Sequence, residues 1–591
     1  MNTAATTTAV PTGTALASGR AARFAVSSQV RLLLLTLLLV VVGFLVIYPV
    51  LTLLITSFEV NAFGQPTIYG TGNWERIFSQ DNLSKALTNT VSLGFMRQLI
   101  GVVVGVCIAW LIARTNLPFR TVLEVGFWVA LFMPALPVTL SWVLLMAGRN
   151  AMLNQLIMQL PFVERPFFNI YSWWGIVWVH LMTSSIAVKV FLLVPAFRSL
   201  DSSLEEAART SGASIMRVFW KIVVPIMAPG ILVVVLLSFI RSMQAFEIEL
   251  ILGAPKGISV FSTIIFAAMT REPPMQGLAS ALSIVFILSI IPFVILQQWY
   301  SHRHSYASIS GKFANRVQDL GRWRWPIFAL IAFLLILMTV VPFGFLTMAT
   351  FMKMFGVFKM AVPWTLDNWA NAMTHGAIER SFFNTLKLAF SAALSGMIAY
   401  TAIAYAIVKA KFYGARVLDF FTWLPTLVPG LVLSLGFLQM FTGVGFFRPL
   451  YGTLAVLVIA VLIGTMTIGT QMIRVALVQI SRELEEAAWA SGGSRFYTFR
   501  RVVLPLIAPS IAVIGLEIFA TSNAAVGILA LLGTGSTQPL SILQLTLLDS
   551  GRFEQAAVIG VLIMTMTVVS AILARYIGHR VGLGHQQATA A

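Results

Sequence analysis

The chain has 591 residues, of which 58% are hydrophobic and 10% are charged, and its mean hydropathy is +0.89. Soluble domains carry about 25% charged residues, so this composition excludes a soluble globular protein and indicates a polytopic membrane protein. In a membrane protein, the net charge of +18 is first explained by basic loops at the membrane surface and only then by nucleic-acid binding. The single cysteine, Cys107, excludes a disulfide framework and a thiolate metal site.

The N-terminal segment differs in composition from the rest of the chain. Residues 1–30 are rich in Ala, Thr and Ser, which predicts a disordered cytoplasmic tail. The apolar run from near Leu33 to about Thr56 is longer than the roughly 7–15-residue core of a signal peptide. We therefore expect an uncleaved first membrane span.

The remaining apolar stretches predict the fold. A membrane-spanning helix needs about 20 mainly apolar residues. Twelve stretches qualify, six in each half: 31–56, 87–113, 121–147, 171–197, 226–252, 276–299, 326–352, 381–408, 416–442, 450–478, 506–532 and 554–577. The predicted fold is an all-α integral membrane protein. It has a first half over 31–300, a basic cytoplasmic connector over 301–325, a second half over 326–578 and a cytoplasmic tail over 579–591.

The distribution of Lys and Arg predicts which side each loop faces. With the N-terminus placed in the cytoplasm, 24 of the 39 basic residues fall in cytoplasmic segments, 12 in outer segments and three within spans. Cytoplasmic loops of membrane proteins carry the excess of Lys and Arg. We therefore expect both termini in the cytoplasm, and membrane lipid rather than nucleic acid as the reason for the positive charge.

Sequence motifs recur between the two halves. Residues 204–229 match 484–509 at an offset of 280, with 13 identical residues among 26. Two shorter matches have an offset of 295: Asn73-Trp74 with Asn368-Trp369, and Asn89-Thr90 with Asn384-Thr385. The change of offset places extra residues of the first half in the outer loop around 149–170. Because six spans is an even number, the halves are predicted to be parallel six-helix repeats, related by a pseudo-two-fold axis along the membrane normal.

Each longer copy lies in a polar cytoplasmic loop, over 202–225 in the first half and 482–505 in the second. Glu205-Glu206 favour the first turn of a helix because negative side chains interact well with the helix dipole there. Ala207-Ala208 are good helix formers with small side chains, and Gly212 allows the helix to end. The pattern predicts a helix–break–helix at the inner membrane face. An ordinary cytoplasmic loop would explain a single copy of this pattern equally well. Two matched copies favour contact with a soluble partner that has two-fold symmetry.

The spacing of Glu206-Ala207-Ala208, Gly212 and Pro225 resembles the EAA loop of ATP-binding-cassette importer permeases, and the second copy has the same spacing. The resemblance implies that each loop docks on one of two copies of a cytoplasmic ATP-binding subunit. It also implies a periplasmic substrate-binding protein and a multi-pass location in the bacterial inner membrane. The implied ATPase-coupling residues are Glu205, Glu206, Ala207, Ala208, Gly212, Pro225, Glu485, Glu486, Ala487, Ala488, Gly492 and Pro505.

The fused duplication further resembles the ferric-iron transport permeases, and the related thiamine and 2-aminoethylphosphonate permeases share it. This resemblance implies transport by alternating access, in which ATP binding swings the two loops. We expect ferric iron as the substrate, with 2-aminoethylphosphonate, thiamine or a polyamine as alternatives.

The chain shows no signal for chemistry of its own. It lacks the phosphate-binding GxxxxGK[ST] pattern, and its six histidines lack metal-ligand spacing. We expect no catalytic residue, no metal and no cofactor in this chain, with ATP and Mg bound by the partner subunits. An ion-driven secondary carrier also has twelve spans in two parallel halves, and a channel or scaffold is a further alternative; none of these predicts ATP dependence.

Four ionisable residues are candidates for the translocation pathway. Glu517 falls about 11 residues into its span, near mid-membrane, and Arg241 lies in the corresponding first-half span. Their interaction would form a gate or a structural ion pair between packed helices. Glu247 and Glu249, near the outer end of the fifth span, either receive a cation or are solvated charges. Lys189 is predicted to snorkel toward the cytoplasm.

Overall fold

The computed structural model describes residues 14–60, 66–79, 81–201, 203–303, 317–355, 362–374, 376–410 and 412–580. Within these ranges the chain is helical, and its only β-structure is three isolated bridges, which confirms the all-α prediction. The first helix begins at Thr14, inside the segment predicted to be disordered, since its Ala and Arg residues are good helix formers. The predicted tail over 579–591 lies outside the described residues from 581 onward.

The membrane helices are named spans 1 to 12 in chain order. Ten are single helical segments long and apolar enough to cross a membrane: spans 1 (Gln29–Thr56), 2 (Asn82–Arg114), 4 (Trp173–Arg198), 5 (Ile215–Met243), 6 (Gln276–Tyr300), 7 (Gly321–Thr350), 8 (Gly376–Val408), 10 (Leu454–Gln479), 11 (Arg495–Ala524) and 12 (Phe553–Gly578). Spans 3 and 9 are bent helix pairs. Counted as one span each, they bring the total to the predicted twelve.

The bends of spans 3 and 9 follow from proline. Span 3 consists of Arg120–Leu131 and Ala135–Met146 at 98°, and span 9 of Ala415–Leu427 and Gly430–Gly443 at 110°. Pro134 and Pro429 stand directly before the second helix of each pair, in extended backbone. Proline disfavours helical backbone in the residue before it, so the first helix ends there and a new one begins.

Spans 5 and 11 end earlier than the sequence predicted. The predicted stretches 226–252 and 506–532 run past the helix ends at Met243 and Ala524. Each helix is followed by a connecting segment and then by a short apolar helix, Phe261–Thr270 or Leu540–Asp549. Hydropathy could not show these ends because the connecting segments are themselves apolar and contain buried residues, as at Leu252 and Leu529. In the first half, Glu249–Lys256 and Phe261–Thr270 form a third bent pair, at 80°.

The internal repeat is visible as matched hydrogen bonds. The backbone N–H of Phe261 donates to Thr90 Oγ1 at 3.2 Å, and the backbone N–H of Leu540 donates to Thr385 Oγ1 at 2.8 Å. The halves also exchange their first spans. Span 1 packs against span 9, and span 7 packs against the Ala135–Met146 helix of span 3. These paired contacts agree with two parallel repeats around a pseudo-two-fold axis.

The helix packing within each half is complementary rather than identical. In the first half, span 4 places Lys189 against Gly105 of span 2, where a Cβ on the glycine would lie 2.6 Å from the Lys189 Cβ. In the second half, Tyr400 of span 8 packs on Gly469 of span 10. The repeat offsets match Gly105 with Tyr400 and Lys189 with Gly469, so the large and small residues have changed places. Lys189 is fully buried at this contact rather than snorkelling to the interface.

Candidate functional site

Both polar loops form the predicted helix–break–helix, here called docking loops 1 and 2. Their first helices are Ser203–Thr210 and Arg482–Ala490, and their second are Ile215–Val218 and Arg495–Thr498. Each second helix begins at a serine whose hydroxyl accepts a backbone N–H three residues on. A π-helical turn then joins it to the body of span 5 or span 11. Each docking loop is therefore continuous with a membrane span.

The break in each loop requires a glycine. Gly212 has φ +86° and Gly492 has φ +83°, in the left-handed region that other residues adopt only with strain. A Cβ at either position would meet nothing within 4 Å. The requirement is therefore one of backbone conformation, not of space.

A buried ion pair anchors docking loop 1 to span 2. The Glu205 side chain is 2% exposed, and its Oε1 accepts hydrogen bonds from Arg114 Nη2 at 2.7 Å and Nε at 3.1 Å. Arg114, at the C-terminal end of span 2, also donates from Nη1 to the Leu200 carbonyl at 3.2 Å. The first glutamate of the motif therefore faces the protein and fixes the loop.

The second half repeats this anchor with a lysine. Lys409 Nζ lies 2.6 Å from Glu485 Oε1 and donates to the Ile480 carbonyl at 3.3 Å. The repeat offsets match Lys409 with Arg114, Glu485 with Glu205 and Ile480 with Leu200. Both docking loops are thus held at equivalent places by equivalent contacts.

The connector between the halves adds a further contact to docking loop 1. Gln318 pairs through its backbone with the end of span 2 and donates from Nε2 to Glu205 Oε2 at 3.2 Å. The adjacent Asp319 accepts from the Gly321 backbone N–H at 2.9 Å and from Asn116 Nδ2 at 2.5 Å, and these bonds lower its pKa. Ahead of the docking helix, Asp201 accepts from the Ser203 backbone N–H, which lowers the pKa of Asp201.

The face of each docking loop that points away from the anchor is exposed and partly apolar. Ala207 and Ala487 are exposed, as are Pro225 and Pro505. Large apolar side chains of the same two segments are exposed as well: Leu204, Met216, Trp220, Leu484, Trp489, Phe496 and Tyr497. Exposed apolar surface of this kind is typical of a protein-binding site.

The structure separates the four pathway candidates into two kinds. Arg241 lies in the last turn of span 5 and is exposed, and Glu517 of span 11 is partly buried. No ion pair within 4 Å joins them among the described residues. Glu249, in contrast, is 2% exposed and bound by other protein groups.

Glu249 belongs to a buried cluster with Arg97 and His180. Its Oε1 lies 2.7 Å from His180 Nε2 and 3.6 Å from Arg97 Nη1. Arg97 also contacts the His180 ring at 2.7 Å and donates from Nη2 to the Ser242 carbonyl. The cluster joins spans 2, 4 and 5 to the segment after span 5. Glu249 is therefore not a solvated outer charge.

Comparison with known proteins identifies the family. Residues 101–306 and 396–583 each match the family described as binding-protein-dependent transport system inner membrane component. These two matches cover more than half of the chain and fall one in each repeat. The chain belongs to this family.

Individual relatives agree with this assignment. The permease is 27% identical over 521 residues to a probable ABC transporter permease of Sinorhizobium fredii, covering 84% of this chain and 88% of the relative. It is 25% identical over 544 residues to the ferric transport system permease FbpB of Actinobacillus pleuropneumoniae, covering 90% and 76%. It is 25% identical over 226 residues to the molybdenum transport system permease ModB of Escherichia coli, covering 36% and 92%. The chain is thus a fused, duplicated ABC-importer permease of the inner membrane.

Sequence reasoning missed several residues of this permease that the structure brings together. The anchoring cations Arg114 and Lys409 come directly after predicted spans, where the sequence shows them only as basic loop residues. Arg97 lies within a predicted span, and an ionisable residue there is itself a signal for a buried partner. Its partners His180 and Glu249 lie 83 and 152 residues further along the chain, and no local spacing connects them.

Proposed function

We propose that this permease is the membrane subunit of an ATP-driven importer that takes up ferric iron from a periplasmic binding protein. Two copies of a separate cytoplasmic ATP-binding subunit dock on loops 1 and 2 and bind ATP and Mg. The single observation that carries the proposal is the matched pair of docking loops, each anchored by a buried glutamate and each continuous with a membrane span.

The mechanism follows from that continuity. When ATP binding draws the two ATPase subunits together, the docking loops move with them. Each loop is tied by its anchor to span 2 or span 8 and leads into span 5 or span 11, so these spans move as a unit. The pathway between the halves then opens outward, and hydrolysis returns it to the inward-open arrangement. Both termini lie in the cytoplasm in this scheme.

Ferric iron is favoured because the ferric transport permease FbpB aligns over 90% of this chain, whereas the molybdenum permease aligns over 36% of it. The carboxylate of Glu247, after the end of span 5, agrees with a cationic substrate, since hard cations prefer oxygen ligands. The remaining candidates are 2-aminoethylphosphonate, thiamine and a polyamine.

Two measurements test the proposal separately. The tagged permease is purified from its native host and examined for a co-purifying ATPase, and uptake of radiolabelled ferric iron is compared between wild-type cells and a deletion strain. We expect ATPase co-purification and loss of iron uptake on deletion. If the deletion strain takes up iron normally but loses thiamine or aminoethylphosphonate uptake, the assignment of ferric iron as the substrate would be overturned. Transport driven by an ion gradient without any ATPase would overturn the importer and favour a secondary carrier.

A further inference from the structure

Glu247 occupies a special position in the repeat. The offset of 280 that aligns the two docking loops also matches Glu247 with Gly527. Glu247 Oε1 accepts a hydrogen bond from the Gly527 backbone N–H at 3.3 Å. Two positions related by a two-fold axis lie on opposite sides of it at equal distance. A residue in contact with its own counterpart therefore lies next to the axis.

The surrounding contacts show that the halves meet here. A Cβ on Gly527 would lie 3.7 Å from Phe246 Cδ1 and 3.9 Å from Glu247 Oε1. Gln244 Nε2, in the same first-half segment, donates to the carbonyl of Thr426 in span 9 at 2.9 Å. Residues 244–248 come directly after the end of span 5, so the two halves touch at the point where this span ends.

The carboxylate of Glu247 differs from that of Glu249 in its partners. Glu249 faces the positive charge of Arg97 and the ring of His180. Glu247 faces a neutral backbone amide, and within the described part of the chain no Lys, Arg or His lies within 4 Å of its carboxylate. The Glu247 carboxyl group is therefore not paired with a protein cation.

This charge has no equivalent in the second half. The counterparts of Glu247 and Glu249 are Gly527 and Leu529, and those of Arg97 and His180 are Ala392 and Ala460. The first half thus supplies the carboxylate at the axis and the buried cluster beneath it, while the second half supplies a backbone amide.

We propose that Glu247 is the specificity-determining residue of the outer gate, whose axial carboxylate contacts a cationic substrate as it enters the path. The proposal rests on the proposed importer function and deepens it. It assigns to Glu247 alone the cation-receiving role for which the sequence offered both Glu247 and Glu249. Substrate entry replaces the Gly527 amide with a cation as the partner of the carboxylate.

The test uses cells that lack the chromosomal copy and express the full transporter with variant permeases. Glu247→Gln removes the charge and keeps the shape, and we expect the initial rate of ferric iron uptake to fall by about tenfold or more. Glu164→Gln, an equal charge change in the exposed outer loop, is the matched control and is expected to transport normally. Folded yield and ATPase co-purification are expected to stay at the wild-type level in both.

A relocation variant tests the axial position itself. Glu247→Gly with Gly527→Glu moves the carboxylate to the other side of the axis, where a Cβ would make only ordinary contacts. We expect this pair to recover uptake relative to Glu247→Gly alone. Absence of any recovery, or uptake by Glu247→Gln within about twofold of wild type, would overturn the proposal.

The outcome is distinguishable from failure of the substrate assignment. If wild-type cells transport thiamine instead of iron, the same variants are assayed with thiamine, which is also a cation. Loss of thiamine uptake in Glu247→Gln would support the gate while refuting iron. If the wild-type protein transports the anion molybdate and Glu247→Gln leaves that transport unchanged, the gate proposal would be overturned as well.

Discussion

The anchor of docking loop 1 is open to a quantitative test. Arg114→Met removes the cation and leaves the Glu205 carboxylate buried without its charged partner. Since the two side chains are 0% and 2% exposed, this loss is expected to cost about 3–5 kcal/mol. In the equilibrium between anchored and released loop, that energy corresponds to a factor of about 10² to 4 × 10³.

The second anchor supplies a matched comparison. Lys409 makes one ion pair and one carbonyl contact with a side chain that is 10% exposed, whereas Arg114 makes at least three hydrogen bonds. We therefore expect Lys409→Met to be milder, at the lower end of the range, about 3 kcal/mol. The double variant Arg114→Met with Glu205→Leu should recover more than half of the loss, because an apolar pair leaves no buried charge.

The assay is the melting temperature of the purified permease together with the fraction of ATPase subunit that co-purifies. We expect Arg114→Met to lower both, and the double variant to restore the melting temperature more than the co-purified fraction. An Arg114→Met protein as stable as wild type, or strictly additive losses in the double variant, would refute the anchor.

Three further predictions concern the same machinery. Gly212→Val or Gly492→Val should strain the loop by about 1–2 kcal/mol without a steric clash, so that ATPase co-purification falls while all spans insert; full transport by both variants would contradict this. Arg241→Ala and Glu517→Ala should show a coupling of about 1 kcal/mol in a double-mutant cycle on transport, and a charge swap should restore part of the loss; additive losses would show that the two charges act separately. Gln318→Ala should reduce the coupling of ATP hydrolysis to transport, and Gln297→Ala in span 6 is the comparison. An unchanged ratio of ATP hydrolysed to substrate moved would exclude a role for the connector.

The helical architecture could be predicted because membrane spans are a local property of the sequence. Hydropathy predicted all twelve spans, and the repeated segments 204–229 and 484–509 predicted both docking loops. The bends of spans 3 and 9 are also local, since Pro134 and Pro429 lie inside the predicted stretches. The end of span 5 at Met243 could not be predicted because the chain stays apolar where it leaves the helix.

The anchors and the axial carboxylate could not be predicted because they depend on contacts between distant segments. Arg114 and Glu205 are 91 residues apart, and Glu247 and Gly527 are 280 residues apart. The repeat alignment did contain the second pairing, since it matched these two positions. Only the packed structure shows that matched positions this far apart along the chain touch.

The exchanged contacts of spans 2 and 4 have a consequence for recombination between the two halves. A chimera that received span 8 in place of span 2 would bring Tyr400 against Lys189, two large side chains where one fits. The reciprocal chimera would place Gly105 opposite Gly469 and leave a cavity. Each helix pair therefore has to be inherited together, and the unit of modular exchange in this permease is two helices at the least.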